Sequence, residues 1–238
     1  MPLNLNSIQN ADELVSALKQ IDISVPGRSN GRKTDHTETW TICRLLSTLI
    51  ETECLTFPLS VVHRDRPDVL IKLKNLMIGV EITEAISQQY AEYCALSERE
   101  FPDVFLDPGH FRWGAPKLTV EQMRELLRQS ELTSAGWEGD RPEQEWAEFI
   151  LSAVHSKLQK LAKPEFTKFD QNWLAIYDNL PLPYIGRSCH IWGISYLCQL
   201  FSFYRFNVTL TFSMRPPPMG GFILETLTVT FRTPSKLA

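Results

Sequence analysis

Arg66-Pro-Asp-Val-Leu-Ile-Lys-Leu-Lys-Asn-Leu-Met-Ile-Gly-Val-Glu-Ile-Thr83 contains two β-rich runs, residues 69–73 and 76–82, separated by Lys74-Asn75. Asn accepts positive φ at the second position of a two-residue loop, so the stretch predicts a tight hairpin. With Lys74 and Asn75 as the loop, Asp68 and Glu81 stand directly opposite each other across the ladder. Alternation then sends Val69, Ile71 and Leu73 to one face and Asp68, Leu70 and Lys72 to the other, and Thr83 shares the face of Glu81. Two facing carboxylates repel and weaken a hairpin unless a cation lies between them, which points to a metal site. Solvent-screened acids at a sheet surface are the alternative.

The chain of 238 residues is long enough to bury a core as a single domain without staples. Cysteines 43, 54, 94, 189 and 198 are odd in number and form no CxxC pair, so reduced thiols in a cytoplasmic protein are expected. The amino terminus lacks the layout of a signal peptide, and no apolar run approaches the ~20 residues of a membrane span, so no membrane partner is expected. A net charge of −4 argues against a strongly basic coat for nucleic acid. The charges are uneven, however: residues 1–148 hold 15 basic and 24 acidic side chains, and residues 149–238 hold 9 and 4. A polyanionic partner is therefore expected mainly on surfaces of the second part.

Outward from the hairpin, residues 1–25 carry a short helical pattern (Ala11, Leu14, Val15, Leu18) that stops before Val25-Pro26-Gly27. The basic loop Arg28-Ser-Asn-Gly-Arg-Lys33 follows, either a solubilising segment or a phosphate grip. Residues 37–53 read as a helix with Trp40, Ile42, Leu45, Leu46, Leu49 and Ile50 as its stripe. Glu38 precedes Ile42 by four and projects along that stripe, as a site acid or as a first-turn charge complementing the helix dipole. Residues 57–62 read as a strand. After the hairpin come a helix over 84–100, an irregular segment with Asp107 and His110 as turn residues or ligands, and a capping box at Thr119-Val-Glu-Gln122. A long helix over 143–163 buries Trp146, Phe149, Ile150, Ala153, Val154, Leu158 and Leu161. Lys157 falls within this stripe and so needs an anionic partner or a snorkelling path, with Lys160 at the stripe's edge. Residues 172–177 form a buried strand, 191–203 a helical or mixed stretch, and 206–212 and 223–231 an antiparallel pair.

The order helix, three strands, helix, strand, with Pro67-Asp68 opening the second core strand and Glu81-Ile82-Thr83 late in the third, resembles the PD-(D/E)XK nuclease superfamily. Its restriction-endonuclease-like fold is an α/β fold, α-β-β-β-α-β, in which helices flank a central mixed sheet. The resemblance covers residues 37–178, with 1–36 as an N-terminal extension, a helical insertion at about 84–142, and 179–238 as a C-terminal elaboration with extra strands. Gly136-Trp-Glu-Gly-Asp140, Glu145-Trp-Ala147, Lys157-Leu158 and Trp173-Leu-Ala-Ile-Tyr-Asp178 also look like uncharacterised bacterial proteins of that superfamily.

The resemblance implies metal-dependent hydrolysis of phosphodiester bonds, in DNA more than RNA, in bacterial defence or mobile-element biology. Asp68 and Glu81 would hold Mg2+ or Mn2+, with the Ile82 carbonyl and Glu38 as further oxygens. Where the motif has lysine two residues after the acid, this chain has Thr83, which carries no charge. Several members supply the lysine from the neighbouring core helix, which makes Lys157 the expected cation, Lys160 the second, and Thr83 a water-orienting hydroxyl. A catalytically silent member that binds nucleic acid or protein is the alternative. An unrelated enzyme using His110 or Cys189-His190 is a third reading, weakened because adjacent strand residues face opposite ways. Homodimerisation stays open, as does whether Arg187, Trp192, Tyr196, Tyr204 and Arg205 are core or stacking residues.

Overall fold

The computed structural model describes residues 3–161 and 163–183 with their side chains, together with the backbone of Val208–Arg215 and Ile223–Phe231. In chain order the elements are β1 (Asn4–Ile8), α1 (Ala11–Leu18), α2 (Thr34–Glu51), β2 (Leu59–His63), β3 (Val69–Leu73), β4 (Leu76–Ala85), α3 (Gln88–Glu100), a 3-10 turn (Pro108–Phe111), α4 (Val120–Gln129), α5 (Arg141–Leu161), β5 (Gln171–Asp178), β6 (Val208–Arg215) and β7 (Ile223–Phe231). The expected sequence helix, three strands, helix, strand is present as α2, β2, β3, β4, α5 and β5, with α3 and α4 inserted in the crossover.

The hairpin sets the frame. β3 and β4 pair antiparallel from Leu73↔Leu76 to Val69↔Val80, a register that turns on Lys74-Asn75 and, extended one step past its last pair, sets Asp68 opposite Glu81. β2 adds antiparallel to β3, from Ser60↔Lys72 to His63↔Val69. β5 pairs parallel to β4, from Ile78↔Gln171 to Ala85↔Asp178. A parallel neighbour requires a long crossover, and the insertion and α5 supply it. The sheet order is β1-β2-β3-β4-β5-β7-β6, with β7 antiparallel to β5.

Alternation along the strands divides the core between two helices. Val69, Ile71, Ile78, Val80, Ile82 and Ala175 are buried with Ile42, Leu45, Leu46 and Leu49 of α2. Leu174, Ile176 and Ala85 are buried with Trp146, Ala147, Ile150 and Val154 of α5. Each buried Val, Leu or Ile contributes about 1.5–3 kcal/mol, so α2 and α5 are held by their stripes rather than by intrinsic propensity. The inserted elements pack a third cluster around Tyr93, Leu96, Phe111, Met123 and Leu127. Buried Glu145 of α5 ties them down, accepting from Arg112 Nε at 2.8 Å and Arg112 Nη2 at 2.5 Å.

Three boundaries differ from the sequence reading. β4 runs to Ala85, so Glu84 belongs to the sheet and α3 starts only at Gln88, capped by the Ser87 hydroxyl. β1 joins the sheet's edge beside β2 with a register shift between Leu5 and Ile8, an irregularity that hides it from a period-two search. The C-terminal strand begins at Val208 and extends to Arg215. Cys189-His190, Arg187, Trp192, Tyr196, Tyr204, Arg205 and the stretch 191–203 lie outside the described residues. Among the described residues no helix is long and apolar enough to cross a membrane.

Candidate functional site

The site lies where β3 stops and β4 continues. Ladder pairing between them ends at Val69↔Val80, while β4 stays paired with β5 on its other edge as far as Ala85. The first orphaned donor beyond that end, the Ile82 N–H, is taken by the Asp68 carboxylate, Oδ2 accepting at 2.6 Å. Glu81, opposite Asp68, has a side chain only 9% exposed. α5 crosses this face and brings Lys157 inward, its Nζ 2.9 Å from Glu81 Oε2 and 3.8 Å from Asp68 Oδ2. Glu81 Oε1 is buried with no hydrogen-bond partner. The three residues therefore meet as the hairpin register and the helix stripe require.

Electrostatics follow from that packing. Burial pushes the Asp68 carboxyl up to about 6, with Glu81 and Glu38 adding to the rise and Lys157 and the Ile82 N–H opposing it. Gly79, on the same face of β4, keeps the floor open to its neighbours. A Cβ there would lie 2.7 Å from the Phe169 ring and 3.0 Å from Pro67 Cγ. The cleft above has a volume of about 280 Å³, and Arg66, Lys160 and Lys163 join the triad in its walls. Lys160 is exposed there and available to a bound anion.

The other expected residues are placed differently. Glu38 accepts or shares a hydrogen bond with His63 Nε2 at 2.6 Å, and that bond raises the imidazole pKa against the effect of burial. Asp35, Glu38 and His63 bring ligand atoms within 4.8 Å of one another, an oxygen, oxygen and nitrogen set capable of holding a cation. Glu38 thus joins His63, while its charge is still felt at Asp68. Ile82 and Thr83, the two residues after Glu81, line a second cleft of about 270 Å³ with Arg28, Arg32, Glu38 and Glu84.

Asp107 organises a turn, accepting from the N–H groups of Gly109, Thr133 and Ser134 and from the Ser134 hydroxyl. His110 bonds Thr133 Oγ1 at 3.0 Å. Their turn role matches one of the two sequence readings. Sequence reasoning missed His63, whose register is fixed only by β2 pairing, and Glu84, which it assigned to a helix. It also missed Arg66, the residue immediately before the motif proline, whose proximity to Asp68 was a usable signal.

No family model, curated protein or solved structure matches the chain.

Proposed function

We propose that the protein is a metal-dependent nuclease of the PD-(D/E)XK type with the restriction-endonuclease-like core, hydrolysing phosphodiester bonds in nucleic acid, DNA in preference to RNA. The observation that carries the reading is the Glu81 carboxylate. It is nine-tenths buried opposite a second acid, with one oxygen on Lys157 and the other without a partner. Evolution of a fold for stability alone disfavours such a group, because an unsatisfied buried carboxylate oxygen is costly. The strand and helix order and the facing of Asp68 and Glu81 support the same reading.

Two carboxylates are hard oxygen donors suited to Mg2+ or Mn2+, and Asp68 and Glu81 would hold the ion, with the Ile82 carbonyl as a further oxygen. When bound, the ion supplies Lewis-acid charge at the phosphate and lowers the pKa of water. Lys157 presents a positive charge to the phosphate and to the charge that builds on its oxygens during reaction. Lys160 and Arg66 hold the flanking backbone in the cleft, whereas Thr83, which lines the second cleft, is not placed to orient water at Asp68 and Glu81. Glu38, fixed by His63, acts as an outer acid that keeps the Asp68 side negative.

The test is divalent-dependent cleavage of DNA and RNA by the wild type, Asp68→Ala and Lys157→Ala. Loss in both variants supports the reading; equal cleavage by all three proteins removes it. A catalytically silent binding module is the second reading, favoured by Thr83 in place of a motif lysine and by the ion pair that already neutralises Glu81. Calorimetric titration with magnesium or manganese separates the two, since the silent module shows no binding that depends on Glu81.

A further inference from the structure

We infer that the cleft formed by Arg28, Arg32 and Lys33 at the start of α2 is a second phosphate subsite, holding another phosphate of the strand whose phosphodiester lies at Asp68 and Glu81. The inference rests on the nuclease reading and adds the path of the substrate to it.

Charge arrangement is the first support. The Arg28 and Arg32 side chains are only 18% and 15% exposed, and both reach a single oxygen, Glu84 Oε1, at 2.5 and 3.3 Å. Asn179 Nδ2 donates to that same oxygen at 2.6 Å. Glu84 thus faces two guanidinium groups, and Lys33 adds a third cation and Glu38 a second carboxylate to the cleft wall, three positive charges against two negative. Largely buried positive charge in excess of its counter-charge is expensive, and an anion entering the cleft relieves it. Of the acids nearby, Glu38 is bonded to His63 Nε2 and Glu98 accepts from the Ser29 N–H and hydroxyl.

Geometry is the second support. Arg32 is oriented by Thr37, whose Oγ1 accepts from its Nε and Nη2, and Arg28 by Glu84. Each guanidinium has five donors in a rigid fork, so both keep donors to spare in directions set by the protein, and that fork matches phosphate. Lys33 stands at the N-cap of the 18-residue α2, its carbonyl accepting from the His36 N–H at 3.2 Å and its own N–H donating to His36 Nδ1 at 3.0 Å, which fixes the backbone from which its side chain reaches the cleft wall.

Position relative to the first site is the third support. Ile82 and Thr83 line this cleft and follow directly on Glu81, which lines the other. Among the described residues no strand pairs with that edge of β4 beyond Val80. A strand held at Lys157 and Lys160 therefore continues past the end of β3 toward Arg32.

The test uses full-length Asp68→Asn protein, which binds without turnover, and fluorescence anisotropy with a single-stranded oligonucleotide at several salt concentrations. In that background Arg32→Gln and Lys33→Gln are each expected to weaken binding at least about 5-fold and to lower the slope of log affinity against log salt by about 1. Lys33 is exposed, so its variant folds even if loss of Arg32 disturbs Glu84. Oligonucleotides with and without a 5′-phosphate distinguish a terminal phosphate from an internal phosphodiester as the occupant, and a slope change with either supports the subsite. Unchanged affinity and slope in both variants, with binding still weakened by Lys160→Gln, overturns the subsite and leaves the nuclease reading standing. Absence of binding by the parent protein to any nucleic acid overturns both.

Discussion

Replacing Lys157 by methionine keeps the buried stem and deletes the charge, leaving Asp68 and Glu81 face to face. The ammonium lies 2.9 Å from Glu81 Oε2 and 3.8 Å from Asp68 Oδ2. At an effective dielectric of about 20 these separations correspond to attractions of roughly 6 and 4 kcal/mol, and desolvation of the three charges offsets most of that. A net loss of about 3 kcal/mol is expected when the cation alone is removed. An unfolding entropy of about 2.1 cal/mol/K per residue gives a chain of this length about 0.5 kcal/mol/K, so Tm falls by about 6 °C. The loss has a defined pH dependence. Asp68 holds its proton more tightly folded, near 6, than unfolded, at 3.8, so the stability it contributes is complete below the lower value and is lost as pH rises through the upper one. Lys157 opposes that rise, so the variant carries Asp68 higher still. Scanning calorimetry in EDTA should therefore find the full deficit near pH 8 and a smaller one near about pH 5, where Asp68 is protonated and only the attraction to Glu81 remains. Excess magnesium near pH 8 should recover more stability in the variant than in the wild type. An equal deficit at both pH values, or none near pH 8, would refute the view that Lys157 holds two buried acids together.

Three further outcomes are expected. Gly79→Val places its first side-chain carbon 2.7 Å from the Phe169 ring and 3.0 Å from Pro67 Cγ, so thermal denaturation should register a loss of about 1–3 kcal/mol from overpacking. Glu145→Ala strands the Arg112 guanidinium and frees the Trp113 N–H, and limited proteolysis should find the segment joining α3 to α4 cut faster while the β3–β4 hairpin stays protected. Trp146→Phe removes the Nε1 donor 2.7 Å from Asp178 Oδ2. Burial already pushes Asp178 up to about 6, so this variant should lose about 1–3 kcal/mol more near pH 8 than near pH 5, measured by urea denaturation.

The hairpin and half of the site were legible because their geometry is local. A two-residue loop with Asn fixes the register of Asp68 against Glu81, and a 3.6-residue period fixes the side of α5 from which Lys157 projects. The convergence of the three side chains then needed only the packing of α5 on the face opposite to α2. What stayed hidden depends on distant partners. Glu84 reads as the acidic start of a helix until parallel pairing with Tyr177 keeps it in β4. Only then do Arg28 and Arg32 acquire a common counter-charge. The engagement of Glu38 with His63 likewise requires β2 to be in register with β3, and the helical stripe that placed Glu38 along the core carries no information about that pairing. Gly79 reads as a weak point in a strand, and its necessity emerges from Phe169, which no local pattern brings near it.

The site is also assembled in two stages. Asp68 and Ile82, 14 residues apart, are joined by the hairpin, whereas Lys157 and Glu81 are 76 residues apart and meet only after the crossover has closed. Hairpins form in about 1–10 μs, while non-local pairing waits on the entropy of closing a long loop. A chain still emerging during synthesis therefore owns the two acids well before it owns the lysine. Any chemistry that needs all three is withheld until the last third of the core has docked, so completion of the fold is itself the licence to act.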